Sequence, residues 1–220
     1  MTENASRTRQ SGPVRATGRN SEGRAVTPKS ERTRRRILDS AAQVFAARGY
    51  ADVSLRDIAD AAGTKAGSMY YHFASKDELV EAVLQRAIVE IEQHVREAVD
   101  GTEGHAERLR AAIKAHTESV LERTDYARAL MRMTSQIPEP IRERHNRYSR
   151  DYGEYWGSLF EAARDAGEVR VDLDLTVARL LVIGAMNWTI EWPGSLWSPE
   201  AIAATLSKIL FEGINPPARP

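Results

Sequence analysis

Residues 54–79 read SLRDIADAAGTKAGSMYYHFASKDEL and contain two helix starts with a glycine between them. Ser54 followed by Asp57 resembles a capping box, and Ser75 followed by Glu78 fits its S/T-x-x-E form, so each serine marks a helix N-terminus with a carboxylate three residues in. Gly63 interrupts the apolar pattern where a turn needs a residue without Cβ strain. Ala59, four positions earlier, is small enough for a second helix to pack across the first. That spacing predicts a helix-turn-helix, the motif that lays its second helix in the major groove of DNA.

The surrounding chain of 220 residues is long enough to bury a substantial core. It is rich in alanine, leucine, arginine and glutamate and lacks period-two runs of β-branched and aromatic residues, so the expected fold is all-α with about nine helices. With no cysteine, there is no disulfide framework, thiolate metal site or cysteine nucleophile, which suits a cytoplasmic protein. No apolar run is long enough to span a membrane. The 31 basic and 31 acidic residues cancel overall, but residues 1–80 hold 14 Lys and Arg against 9 Asp and Glu, while residues 81–220 hold 17 against 22. A basic front and an acidic back imply divided labour.

Residues 1–29 have almost no large apolar side chains and are expected to form a disordered basic tail, able to follow a phosphate backbone or simply to remain solvated. Residues 30–78 then form a three-helix DNA-binding domain, and 79–216 a helical effector-binding and dimerisation domain. The first helix opens at Thr27, Pro28 or Ser30 and stops before Gly49. Ile37, Ala41, Val44 and Phe45 form its apolar stripe. Arg32, Arg34, Arg35 and Arg36 crowd its first turns against the helix dipole, which points to an anionic partner. Further helices are expected from Leu79 to about Asp100, Ala106 to Arg123, Asp125 to Gln136, about 140 to 166, after Asp172 or Asp174 to Pro193, and from Ser198 to Gly213. Each is bounded by glycine, proline or a capping residue.

With these residues laid out, 31–79 resemble the DNA-binding domain of the tetracycline-repressor (TetR) family. The likeness rests on Ala41, Ala42 and Phe45, Gly49-Tyr50, Ile58-Ala59, Ala62-Gly63, Gly67-Ser68, Tyr70-Tyr71-His72-Phe73, Ser75-Lys76 and Leu79. It implies that Lys65, Ala66, Gly67, Ser68 and Tyr70 lie on the recognition helix. Lys65 would reach guanine O6 or N7, Ser68 base or phosphate, and Gly67 would let the backbone approach the duplex. Tyr71, His72 and Lys76 look like phosphate clamps, with Arg34 on the first helix, while Tyr70 and Phe73 anchor the motif in its small core. Thr64 departs from the family's usual apolar residue and is a candidate cap, which shifts the reading register by one residue.

The tract 183–199, with Trp188, Trp192, Pro193, Gly194 and Pro199, more loosely resembles family members that respond to acyl-CoA thioesters, although Glu191 stands where such relatives often carry a base. Tyr126, Met131, Met133, Tyr152, Trp156 and Trp188 are candidates for an apolar effector pocket, with core packing as their other fate. Arg128 and Arg132, at i and i+4, would meet an anion only if they face inward. The resemblance implies a homodimer through the last two helices, bound to a pseudo-palindromic double-stranded operator and released by a small apolar or acyl-CoA-type effector. The alternative is a helical DNA-binding or protein-interaction module without effector. An enzyme is not expected: the five histidines are scattered, and Glu90 with His94 lacks the further ligands of a metal set. No cofactor is implied.

Overall fold

The computed structural model describes residues 27–192 and 197–213. The expected disordered tail, up to residue 26, and the loop residues Pro193 and Gly194 lie outside the described residues. Among these there are nine α-helices and no strand: α1 Pro28–Arg48, α2 Leu55–Ala61, α3 Ala66–His72, α4 Lys76–Asp100, α5 His105–Glu118, α6 Asp125–Met133, α7 Glu139–Asp165, α8 Leu175–Trp188 and α9 Pro199–Glu212. No helix among them is long and apolar enough to cross a membrane.

The chain divides into two compact units, residues 1–35 and 36–220. In the first, the described part is the opening of α1, where Ser30 N donates to Thr27 Oγ1 (3.3 Å) and Thr33 Oγ1 to Lys29 O (3.0 Å). The helix begins at Pro28, one of the openings expected from the sequence, as suits a proline at the first helical position, so that the boundary drawn after residue 29 falls within its first turn.

In the second unit, local signals set most helix ends. Ser54 Oγ accepts from Asp57 N (3.2 Å) and Asp57 Oδ2 from Ser54 N (2.8 Å), completing the capping box. With the neighbouring Arg48 guanidinium, these bonds hold the Asp57 carboxyl down at about 2, the Ser54 hydroxyl contributing most. At Ser75 the second box is shifted: Ser75 Oγ accepts from Glu78 N (3.1 Å), but Glu78 Oε2 reaches Ala74 N (2.7 Å).

Gly63 has φ +58°, and it closes α2 in a Schellman motif, with Gly63 N donating to Asp60 O (3.1 Å) and Thr64 N to Ala59 O (2.9 Å). Thr64 thus belongs to the end of α2 and does not cap α3. Lys65 occupies the N-cap position, and α3 begins at Ala66.

Three further ends differ from the sequence reading. The final turn expected in α5 widens into a π-helical turn, Ser119–Arg123; just before and within it, the buried Thr117 and Ser119 hydroxyls donate to Ile113 O and Ala115 O. The α6 helix stops at Met133 rather than Gln136, because Pro138 disfavours helical backbone at Ile137 and the chain turns there. After α8 the chain tightens into a 3₁₀ turn, Thr189–Glu191.

The core is continuous. Ile37, Ala41, Phe45, Ile58, Met69 and Phe73 are buried around the helix-turn-helix, and nine residues of α4 from Leu79 to Val99 continue the same core. The α4 helix packs against α5, α6 and α7, α5 also against α9, and α7 against α8. Removing the Ser54 hydroxyl tests the local logic: Ser54→Ala should cost about 0.5–2 kcal/mol, read as a lower urea midpoint with an unchanged m value.

Candidate functional site

Two candidate sites emerge, one on α3 and one among α4 to α8. On α3, Met69 points into the core, so the side chains around it turn outward. Lys65, Ala66, Gly67, Tyr70 and Tyr71 are exposed, and Ser68 and His72 are half-buried. Tyr70 was expected to anchor the motif with Phe73. It is 58% exposed, and Met69 with Phe73 forms the anchor instead. Adjacent residues on a helix point about 100° apart, so burying Met69 turns Tyr70 outward. Thr64, Lys65 and Tyr70 border a crevice of about 500 Å³ between α2 and α3. The Tyr71 and His72 rings meet edge to face at 5.0 Å.

Lys76 has a structural partner as well. Its ammonium donates to Tyr50 O (2.5 Å) and lies 4.0 Å from the Tyr50 ring centroid, which partly desolvates it and lowers its pKa. The start of α4 is thereby tied to the turn after α1. Arg34 is exposed in the opening of α1.

The second site is a cavity of about 1070 Å³ with lining residues from α4, α5, α6, α7 and α8. Of the six effector candidates, Met131, Tyr152 and Trp188 line it. Tyr126, Met133 and Trp156 do not; all three are buried in the core, and Tyr126 donates its hydroxyl proton to Asp39 Oδ1 (2.7 Å). Arg128 is exposed and pairs with Asp125, and Arg132 is exposed, so neither faces inward. Glu90 bonds Arg86 (2.7 Å) and His94 bonds Glu118 (3.2 Å), so this i, i+4 pair is engaged with other side chains.

Beyond Tyr152 and Glu191, sequence reasoning missed the cavity's polar residues. His116 lies between Tyr152 Oη, 2.7 Å from its Nδ1, and Asn187 Oδ1, 3.0 Å from its Nε2. His145, Ser149, Arg150, Arg179 and Glu191 also line the cavity. The available signal was the i, i+4, i+7 spacing of His145, Ser149 and Tyr152 on one helix. Burial pushes the His116 imidazole down to about 4, opposed by its bond to Asn187, and lowers His145 in the same direction.

Sequence and structure comparisons add relatives to this geometry. Residues 37–83 match the family model described as bacterial regulatory proteins, tetR family, and residues 102–214 match the tetracyclin repressor-like C-terminal domain. The HTH-type transcriptional repressor KstR2 of Mycobacterium tuberculosis is 29% identical over 185 residues, 81% of this chain and 91% of the relative. Two solved structures share the fold. AibR in complex with isovaleryl coenzyme A and operator DNA gives a TM-score of 0.73 at 24% identity, over 81% of this chain and 98% of that one. FadR from Bacillus subtilis in complex with stearoyl-CoA gives 0.73 at 20%, over 82% and 99%.

The buried histidine sets a pH dependence. His116 titrates lower in the folded chain than its ordinary 6.5, so between about pH 4 and 6.5 the unfolded state binds the extra proton. Its stabilising effect is therefore present above that window and lost as pH falls through it, by about 3 kcal/mol at most. Urea unfolding from pH 7 to 4 should show this loss, and His116→Gln should flatten the slope; an unchanged slope would place the proton uptake elsewhere.

Proposed function

Because the chain belongs to the tetR family of bacterial regulatory proteins, we propose that it is a homodimeric repressor, released from a pseudo-palindromic operator when a small apolar or acyl-CoA-type effector enters the cavity. The reading assigns it no catalytic reaction and places it in the cytoplasm. Repression follows the role named for KstR2, and the acyl-CoA class follows the ligands named for AibR and FadR.

One observation carries the regulatory part: the segment that walls the cavity also grips the reading head. Leu130, Met131, Thr134 and Ser135, on α6 and the turn after it, line the cavity. From the same segment, Tyr126 bonds Asp39 on α1, and the Gln136 side chain accepts from Tyr50 N at 2.8 Å. Gly49, at φ +77°, lets that side chain approach, since a Cβ there would lie 2.5 Å from Gln136 Oε1. Arg144 on α7 pairs with Glu81 near the start of α4. A ligand that favours one placement of α6 therefore biases the α1–α2 turn and, through Lys76 and Tyr50, the start of α4. Operator affinity changes by the ligand's differential affinity for the two placements.

At the DNA, Lys65 and Ser68 read bases, with Thr64, Gly67 and Tyr70 along the same exposed edge. Tyr71, His72, Lys76 and Arg34 hold phosphates, Lys76 with the two N–H groups beyond its bond to Tyr50. Dimerisation uses α8 and α9. Val177, Leu181 and Trp188 stand exposed at i, i+4 and i+11 on α8, with Leu180 beside them and Ile209 exposed on α9. Such an apolar face suits an isologous four-helix seam that presents two recognition helices to half-sites about one helical turn, or a multiple of it, apart.

Fluorescence anisotropy with labelled operator tests both halves. Affinity should fall by about 10³-fold or more between 50 and 200 mM salt, and a flat response would remove the DNA reading. Lys65→Ala should cost about 1–3 kcal/mol, concentrated at one base position per half-site; equal loss on every sequence would make Lys65 a phosphate contact. Gln136→Ala should retain effector binding yet weaken effector-driven release by about fivefold, the low end of typical coupling energies. Full release in that variant would remove Gln136 from the coupling route.

A further inference from the structure

The cavity has two unlike walls. One is apolar, with Ile88 and Ile91 from α4, Leu130 and Met131 from α6, and Ile183 and Trp188 from α8. The other is a polar seam. His145, Ser149 and Tyr152 fall on one face of α7 and, at 1.5 Å rise per residue, run about 10 Å along the cavity.

Hydrogen-bond accounting along that seam leaves specific groups over. Asn187 Oδ1 only accepts, so the His116 Nε2 facing it carries the proton. His116 Nδ1 is then an acceptor, and the Tyr152 hydroxyl donates to it. This arrangement directs the Asn187 carbonyl oxygen to His116 and leaves its amide N–H groups without a partner among the described residues. His145 is 8% exposed and lines the cavity, yet its Nδ1 is buried with no hydrogen-bond partner; its Nε2 lies 3.4 Å from Ser149 Oγ. A saturated hydrocarbon against this wall strips the Asn187 amide of solvent without replacing it and offers His145 Nδ1 no partner, whereas a hydroxyl can serve both.

Resting on the effector reading above, we propose that the effector carries oxygen on its apolar body, as a hydroxyl or carbonyl group, and that His145 and Asn187 select such ligands over unsubstituted chains of the same length. Ser149 Oγ donates to His145 O (3.0 Å), so His145 Nε2 carries the proton toward Ser149 and Nδ1 is an acceptor. The Asn187 amide donates to the ligand oxygen, and neutral His145 Nδ1 accepts from it when it is a hydroxyl. The apolar wall, with Met131 and Trp188, covers the rest of the ligand and tolerates variation in its shape. Recognition of an oxygen substituent gives strong selectivity, because a site built around it rejects the analogue that lacks it.

The test uses the full chain and isothermal titration calorimetry with saturated twelve-carbon acyl-CoA as the reference probe. The same chain carrying a hydroxyl or oxo group near the thioester, in mid-chain or near the end forms the comparison panel. At least one oxygenated member should bind about tenfold tighter than the reference or better. His145→Phe and Asn187→Leu should each reduce that preference to about threefold or less. Unfolding midpoints establish that each variant is folded, and either variant alone suffices. Equal affinity across the panel, or a preference that survives in the folded variants, overturns the proposal. An unsubstituted chain that binds and releases operator under those circumstances leaves the effector reading standing, whereas binding of no acyl-CoA at all overturns this proposal together with the acyl-CoA branch of that reading.

Discussion

Burial of one face of α4 is the constraint on which the other arrangements depend. Over 25 residues, about 37 Å of helix, Leu79, Val80, Val83, Leu84, Ala87, Ile88, Ile91, Val95 and Val99 are withdrawn from solvent. One end closes the core beneath the helix-turn-helix, and the middle supplies Ile88 and Ile91 to the cavity. A single helix therefore serves both sites, and neither end of its core can be repacked without affecting the other. At about 25 cal/mol for each Å² of apolar area removed from water, a stripe of that length outweighs any of the surface ion pairs. Polar contacts such as Tyr126 to Asp39 and Gln136 to Tyr50 add direction to this frame more than stability.

Much of the fold was legible because its punctuation is local. Ser54, Gly63, Gly167, Asp174 and Ser198 act within a few residues of themselves, through caps and left-handed turns, so their meaning survives without knowledge of the tertiary structure. The reading head was legible for the same reason, together with its resemblance to a known family. What the sequence left open there was orientation. In a seven-residue helix, Met69 and Tyr70 are both plausible anchors, and only the surrounding core decides which one turns inward. The cap at Lys65 followed likewise from how α2 ends, through a bond between Thr64 and Ala59.

The cavity was far less legible. Large apolar and aromatic residues fill cores and line pockets with the same composition, so Met131 and Met133, two positions apart on α6, have opposite fates. Its polar seam joins His116, Tyr152 and Asn187, residues 36 and 71 positions apart in the chain. Nothing local links them, and a lone histidine in a helix carries no sign of its partners. The contacts between α6 and the helix-turn-helix were hidden in the same way, since Asp39, Tyr50 and Gln136 are unremarkable surface types until packing brings them together.

Leu180 and Trp188 are 60% and 66% exposed on the outer face of α8, yet both also line the cavity. Once two copies pair through that face, the same side chains answer to the neighbouring protomer and to the bound molecule. Occupancy and self-association then become linked equilibria: whatever ligand does to the position of Trp188 alters the dimer constant, and assembly alters ligand affinity by the same factor. Under the proposed pairing, the concentration of the protein itself shifts its effector threshold before any operator is engaged.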